Sequence, residues 1–354
     1  MTLSKPDNIF WINLLRVVSI FAVVMLHSSA DIVINITDKS SISWWVGNFF
    51  DSATRWSVPV FVMISGVLLL DPQKKESFRQ FYEKRANRIL LPLLFWTLAY
   101  LLILKFFYNI ELDFLKVLIS VLKGNTYPHL WFIYMLIGLY AFTPYLRRFI
   151  QSSSNKDRFF LIIFIFCFAC LHTFMDYFFF NNTSRKLQTI FSLFIPYIGY
   201  FILGYQLSLI DKCKLPYKII ISLILLPFLI VFVCAGLTTH EFGLAKGLYF
   251  YDYLNPAVII LSAGIFLFVN KLLDSPDTPN KLFSSFIEKI APYSLGIYLM
   301  HPMISEIFRF YFEITPRSFN FLIGIPVHSI ANFMICIFAI SIIIRIPYLR
   351  RVVS

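Results

Sequence analysis

Residues 11–30 read WINLLRVVSIFAVVMLHSSA. The run is mostly apolar and, at about 20 residues, long enough to cross the hydrocarbon core as a helix. Two of its residues, Arg16 and His27, are expensive in that setting. An arginine near the bilayer centre costs about 2.5–3.5 kcal/mol on insertion scales, so it is retained where it faces a partner or a cavity. The two residues lie close to three helical turns apart, on nearly one face and about 16 Å apart along the axis. Asn13, three residues before Arg16, joins that face. The spacing therefore predicts one helix presenting an amide, a guanidinium and an imidazole in a line. Ser28-Ser29-Ala30 faintly resembles a signal-cleavage site, but Arg16 and the many apolar runs that follow favour a retained helix.

Of the 354 residues, 58% are hydrophobic and only 14% charged, and the mean hydropathy is +0.74. Soluble domains carry about 25% charged residues. The expected fold is all-α, a polytopic membrane protein read as a single integral-membrane domain over 1–354. About ten transmembrane helices of some 20 residues each are expected, near 9–29, 46–70, 88–108, 129–149, 159–179, 190–210, 217–237, 254–271, 292–312 and 322–345. The net charge of +12 would suggest a nucleic-acid partner in a soluble protein. Here no nucleic acid is expected, because loop charge explains it. With the N-terminus inside, the cytoplasmic segments hold 20 Lys and Arg and the outer ones eight, while Arg16, Arg55 and Arg309 fall inside spans. That bias predicts both termini in the cytoplasm.

Cys167-x-x-Cys170 lies in an apolar run without a second ligand pair, so the pair reads as packing and no metal is expected. Walker glycines, HExxH and GxSxG are absent from the sequence. Asn181-Asn-Thr-Ser184 holds overlapping glycosylation sequons, which matter only in a secretory pathway.

Other polar positions cluster. Asp51 and Arg55, four apart, suit an ion pair, Pro59 can kink the second span, and Ser65-Gly66 permits close approach. Arg85 and Arg88 share a face at the mouth of the third span. They serve either topology and lipid headgroups or a fork for phosphate. Residues 112–124, LDFLKVLISVLKG, form an amphipathic segment suited to the outer interface. His129 and Trp131 open the fourth span as interface anchors or as substrate-facing groups. In residues 294–310, SLGIYLMHPMISEIFRF, Tyr298, His301, Ser305 and Arg309 share a face, with Glu306 beside them. That face is either a buried hydrogen-bond network or part of a polar cavity shared with the first helix.

Arg16-x10-His27, VPVFVMISGVLL, Arg85-x-x-Arg88, HLWFI at 129–133 and SLGIYLMHP at 294–302 occur in this order. Together they resemble the acyltransferase type 3 family of bacterial inner-membrane proteins, over nearly the whole chain. The resemblance implies a multi-pass inner-membrane O-acyltransferase. It would move an acyl group, usually acetyl, from cytoplasmic acyl-CoA to a hydroxyl of a cell-envelope glycan or lipid-linked sugar. Acetyl-CoA is then a donor substrate rather than a bound cofactor, and membrane lipids and polysaccharide-assembly proteins are the other partners. His27 matches the essential histidine and Arg16 its partner, and Arg85 and Arg88 match the pair that engages the CoA phosphates. Ser65, His129, Trp131, Tyr298 and His301 fall in the motifs, and Asn13 and Arg55 lie beside them as supporting residues. Many members have Asp where this chain has Asn13, so Arg16 needs another acid, Asp51 or Glu306, or else faces an anionic ligand. Histidine near its ordinary pKa of about 6.5 can take a hydroxyl proton at neutral pH. It can instead carry the acyl group itself, and Arg16 could stabilise the oxyanion or hold the pantetheine arm. Polar residues inside many spans also suit a glycan transporter or a structural subunit of a polysaccharide synthase.

Overall fold

The computed structural model describes residues 10–74, 76–180, 189–211, 214–273 and 280–353; the sequons at 181–184 lie outside them. All regular structure among the described residues is helical. The helices longer than one turn are α1 (Phe10–Asn35), α2 (Ile42–Thr54), α3 (Ser57–Leu69), α4 (Phe78–Tyr108), α5 (Phe114–Leu122), α6 (Trp131–Ser152), α7 (Asn155–Phe178), α8 (Ile198–Ser208), α9 (Tyr217–Phe242), α10 (Pro256–Leu272), α11 (Lys281–Ile290), α12 (Ser294–Tyr311) and α13 (Phe321–Ile343). Seven described stretches are long and apolar enough to cross a membrane: α1, α2 with α3, α4, α7, α9, Leu244–Leu272 and α13. Each of the other three expected spans has a helix, but a shorter or more polar one. These are α6, α12, and α8, which is preceded by turns and a short 3-10 segment.

Burial sorts the helices. The crossing segment of α1 is 61% buried, and it touches α2, α3, α10, α11, α12 and α13. Those of α7 and α9 are only 28% buried. Their exposed Phe160, Phe164, Phe168, Leu225, Leu226 and Leu229 suit lipid. A helix with costly polar groups thus sits at the centre, and helices with strongly apolar middle stretches form the rim. As expected of an interfacial segment, α5 has no buried residue. Cys167 and Cys170 are free thiols.

Two local features set the site. The second span is broken: α2 ends at Thr54 and α3 begins at Ser57. Pro59 falls in the first turn of α3, where its missing N–H has no helical partner to lose. Arg55 and Trp56 keep right-handed helical backbone across the junction, so Arg55 stays one turn from Asp51 and pairs with it. In addition, α4 starts ten residues before the expected 88. Ser77 and Gln80 form a reciprocal capping box, with the Gln80 N–H donating to Ser77 Oγ at 3.3 Å and the Ser77 N–H to Gln80 Oε1 at 3.2 Å. Arg85 and Arg88 consequently ride on rigid helix rather than on a loop.

Helices α3 and α8 pack backbone against backbone. A β-carbon on Gly66 would collide with the Phe201 carbonyl, and one on Gly204 with the Met63 carbonyl. Arg351, near the end of the described chain, lines a cavity with Ala86 and Asn87 of α4, and Arg16 of α1 lines another with Arg88.

Candidate active site

A cavity of about 340 Å³ opens between α1, α3, α4, α6 and α12. Four cations line it, Arg16, Lys84, Arg85 and Arg88, and no acid does. Lys84, Arg85 and Arg88 come from the first turns of α4, so they stand at one end of the bundle. Ser65, Phe61, Phe132 and Tyr298 line the rest, together with Tyr140 and Ser294. Ser65 spends its hydroxyl on the Phe61 carbonyl of its own helix, 3.0 Å away, which leaves its oxygen able to accept one bond from the cavity.

Arg16 has no ion-pair partner among the described residues. Both expected counter-charges are engaged elsewhere. Asp51 pairs with Arg55, and Glu306 accepts hydrogen bonds from Tyr108 Oη (2.8 Å) and Tyr127 Oη (3.0 Å) and lies 3.8 Å from Arg309. Of the two alternatives for Arg16, an acidic partner or an anionic ligand, the first does not hold: Arg55, one helical turn from Asp51, takes that carboxylate, and Glu306 lies toward the opposite end of α12, among tyrosines. An unpaired guanidinium in a wholly cationic cavity is a seat for an anion or a polarised carbonyl.

Beyond Tyr298 lies a cluster of three imidazoles. The rings of His27 and His301 are 5.0 Å apart, and those of His129 and His301 are 5.7 Å apart. Tyr298 lies 5.5 Å from His129 and 6.0 Å from His301, ring to ring, and its hydroxyl donates to the His129 carbonyl. That bond pins the turn before α6 against α12. Tyr100 and Tyr127 stack at 4.2 Å and close round His129 at 4.8 and 5.6 Å.

The tautomer of His301 follows from its contacts. Its Nδ1 lies 3.1 Å from the Ile297 carbonyl. A carbonyl only accepts, so Nδ1 carries the proton and Nε2 presents a lone pair. His301 Nε2 is buried without a partner. Buried polar atoms are normally satisfied. That nitrogen is therefore open to a bond that the chain does not itself supply. No described group of His, Cys, Asp or Glu could hold a metal ion.

The acyltransferase domain family model matches residues 9–346. The chain belongs to the acyltransferase type 3 family. It is an acyltransferase, and O-acetyl transfer is typical of the family. No curated protein and no solved structure matches the chain.

Within this acyltransferase, Arg16, Arg85, Arg88, Ser65 and Tyr298 meet in one cavity, and His27, His129 and His301 meet in the cluster beyond it. The other sequence candidates do not line the cavity, although the charge of Arg55 reaches His27. Arg55 holds Asp51, donates to the Tyr251 carbonyl at 3.3 Å and lies over the Tyr251 ring at 4.6 Å. Trp131 stacks on Tyr253 at 5.7 Å. Asn13 is half-buried and does not line the cavity.

Several residues at the site escaped sequence reading. Asn332 donates to the His301 carbonyl and to Ser305 Oγ, both at 2.8 Å, and so holds α12 in place. His328 Nδ1 lies 2.9 Å from Ser28 Oγ, next to His27. Glu76 sits among Lys84, Arg85 and Arg147 at 3.0, 3.5 and 3.6 Å. Burial works to raise its carboxyl, but the Lys84 hydrogen bond and the charges of Arg85, Lys84 and Arg147 outweigh it, holding Glu76 below the ordinary glutamate range.

Proposed function

We propose that this protein is an inner-membrane O-acetyltransferase that takes acetyl from cytoplasmic acetyl-CoA and places it on a hydroxyl of a cell-envelope glycan or lipid-linked sugar. The observation that carries this reading is the acid-free cationic cavity whose lining runs from Arg85 and Arg88 past Arg16 to Tyr298, next to the histidine cluster. Arg85 and Arg88 hold donor phosphates, Arg16, about three helical turns short of His27, holds the pantetheine arm between them, and His27 faces the acceptor. The arrangement suits a long donor with anionic groups at one end and a reactive group at the other.

The topology that accompanies this reading has ten spans with both termini in the cytoplasm. The charge bias supports it, and Arg351 near the C-terminus lies beside the same turns of α4 as the cationic mouth. Within the family, Ser52-Ala-Thr-Arg-Trp-Ser-Val-Pro59 is similar to the O-acetyltransferase of enterobacterial common antigen, which makes such a lipid-linked sugar the first acceptor to test.

In the transfer, the sugar oxygen attacks the acetyl carbonyl carbon and its proton passes to a ring nitrogen of His27. The C–S bond breaks, the electron pair leaves with sulfur as CoA thiolate, and the thiolate takes up a proton. His301, its Nδ1–H fixed on Ile297, offers its Nε2 lone pair to the His27 side of the cluster and stabilises the imidazolium by accepting from it. The deciding experiment supplies labelled acetyl-CoA to inside-out vesicles containing the glycan fraction. Wild-type protein should deposit label in alkali-labile esters. Equal labelling by well-inserted His27→Ala would remove His27 from the mechanism, and label-independent movement of the acceptor would point to a transporter.

A further inference from the structure

The cationic mouth already holds an anion of its own. Glu76 precedes α4, and its side chain is only 12% exposed among Lys84, Arg85 and Arg147. Arg147 arrives from the far end of α6. Its Nε donates to the Leu69 carbonyl at 2.5 Å, and Leu69 also lines the cavity. Arg147 and Arg85 both lie over the Phe81 ring, at 4.9 and 4.6 Å, so one aromatic plate positions both guanidinium groups. A buried terminal nitrogen of Arg147 has only a long contact, 3.6 Å, to a Glu76 oxygen.

A buried guanidinium N–H held only by a long contact is poorly satisfied, which costs free energy. The carboxylate therefore reaches three cations while fully satisfying only Lys84. A phosphate has three terminal oxygens and a larger charge and fills such a set better. Lys74 adds to the local positive field: burial and the nearby charges of Arg147 and Arg85 hold its ammonium below the ordinary lysine range. A purely structural network would keep Glu76 as its centre, because removing Glu76 would loosen the mouth.

We infer that Arg147 is a further donor-binding residue that reaches a donor phosphate alongside Arg85, and that Glu76 occupies that phosphate position until the donor arrives. The inference rests on the reading of Arg85 and Arg88 as the donor-phosphate site. It adds a second helix to that site and gives the resting protein an internal competitor for its donor.

The test compares KM and kcat for acetyl-CoA with those for acetyl-pantetheine, which keeps the thioester arm and lacks phosphates. Glu76→Gln should lower KM for acetyl-CoA by roughly two- to fivefold, the scale of an ion-pair competitor. Arg147→Gln should raise it by roughly tenfold, the scale of a lost bond to a charged group. Arg147→Lys should recover part of that loss. None of the three should move KM for acetyl-pantetheine. A Glu76→Gln protein with unchanged or raised KM for acetyl-CoA overturns the inference, and a folding defect cannot imitate a lowered KM. Arg85→Gln separates the two levels. If it raises KM for acetyl-CoA while the Glu76 and Arg147 variants fail, only the inference falls. If it too has no effect, the phosphate-site reading falls.

Discussion

His301 lies with its ring 5.0 Å from that of His27, its Nδ1 tied to the Ile297 carbonyl and its Nε2 without a partner. The pair joins α1 to α12, and Asn332 fixes the backbone beneath His301. His301→Gln keeps a polar side chain of similar length and loses the basic lone pair. It should lower kcat by roughly 10²-fold at saturating donor, the lower end of what a positioned acid–base group supplies. His27→Ala should cost more. If His301→Gln retains wild-type kcat, His27 works without its neighbour.

The two arginines of the first spans should respond oppositely to the same substitution. Arg55 neutralises the buried Asp51, so Arg55→Met strands a carboxylate and should destabilise the protein by about 3–5 kcal/mol. Arg16 has no acid to strand. Arg16→Met should leave thermal stability in detergent unchanged or slightly raised, while transfer is lost. A large fall in melting temperature for Arg16→Met would show that Arg16 is a structural residue after all.

The line of Arg16 and His27 was legible because an arginine in an apolar run is costly enough to demand a reason. The helix period then placed the two on one face, and that face became the cavity wall and the cluster. The Asp51–Arg55 pair was legible for the same local reason. What encloses His129 was not legible, since Tyr100 and Tyr127 come from separate segments and nothing in local periodicity brings them together. The same holds for His328 opposite Ser28 and for Glu76, an acid hidden in a basic loop. One miss had a local signal. Ser77-x-x-Gln80 is a capping-box pattern, and it marks the true start of α4 ahead of Arg85 and Arg88. Arg16's lack of a counter-charge could not be read from composition, because both candidate acids exist and only the fold shows them engaged.

Close approach of α3 to α8 should be intolerant of a single methyl. Gly66→Ala places its β-carbon on the Phe201 carbonyl, which is backbone and cannot rotate away. Overpacking of this kind costs about 1–3 kcal/mol. The expected result is a lower melting temperature in detergent together with weakened transfer, since α3 carries Ser65 into the cavity. Gly204→Ala, which meets the Met63 backbone from the other side, should behave alike. A wild-type melting temperature for both would mean the two helices are free to separate.

Glu76 also gives the cationic mouth a pH signature. Its carboxyl is held below the ordinary range because Lys84, Arg85 and Arg147 outweigh the effect of burial. A group whose folded value is depressed stabilises the fold fully above its unfolded value, about 4.3 for glutamate. That contribution is lost as pH falls through the depressed folded value. Wild-type protein should therefore melt higher than Glu76→Gln at neutral pH, and the difference should shrink to nothing as the pH is lowered below the ordinary glutamate range. Donor binding acts on the same contact from the other side. Saturating CoA, by displacing Glu76 from Arg85 and Arg147, should narrow the gap between the two proteins at neutral pH. Melting curves with and without CoA across that pH range would test both statements, and a gap that is independent of pH would show that Glu76 acts through shape rather than charge.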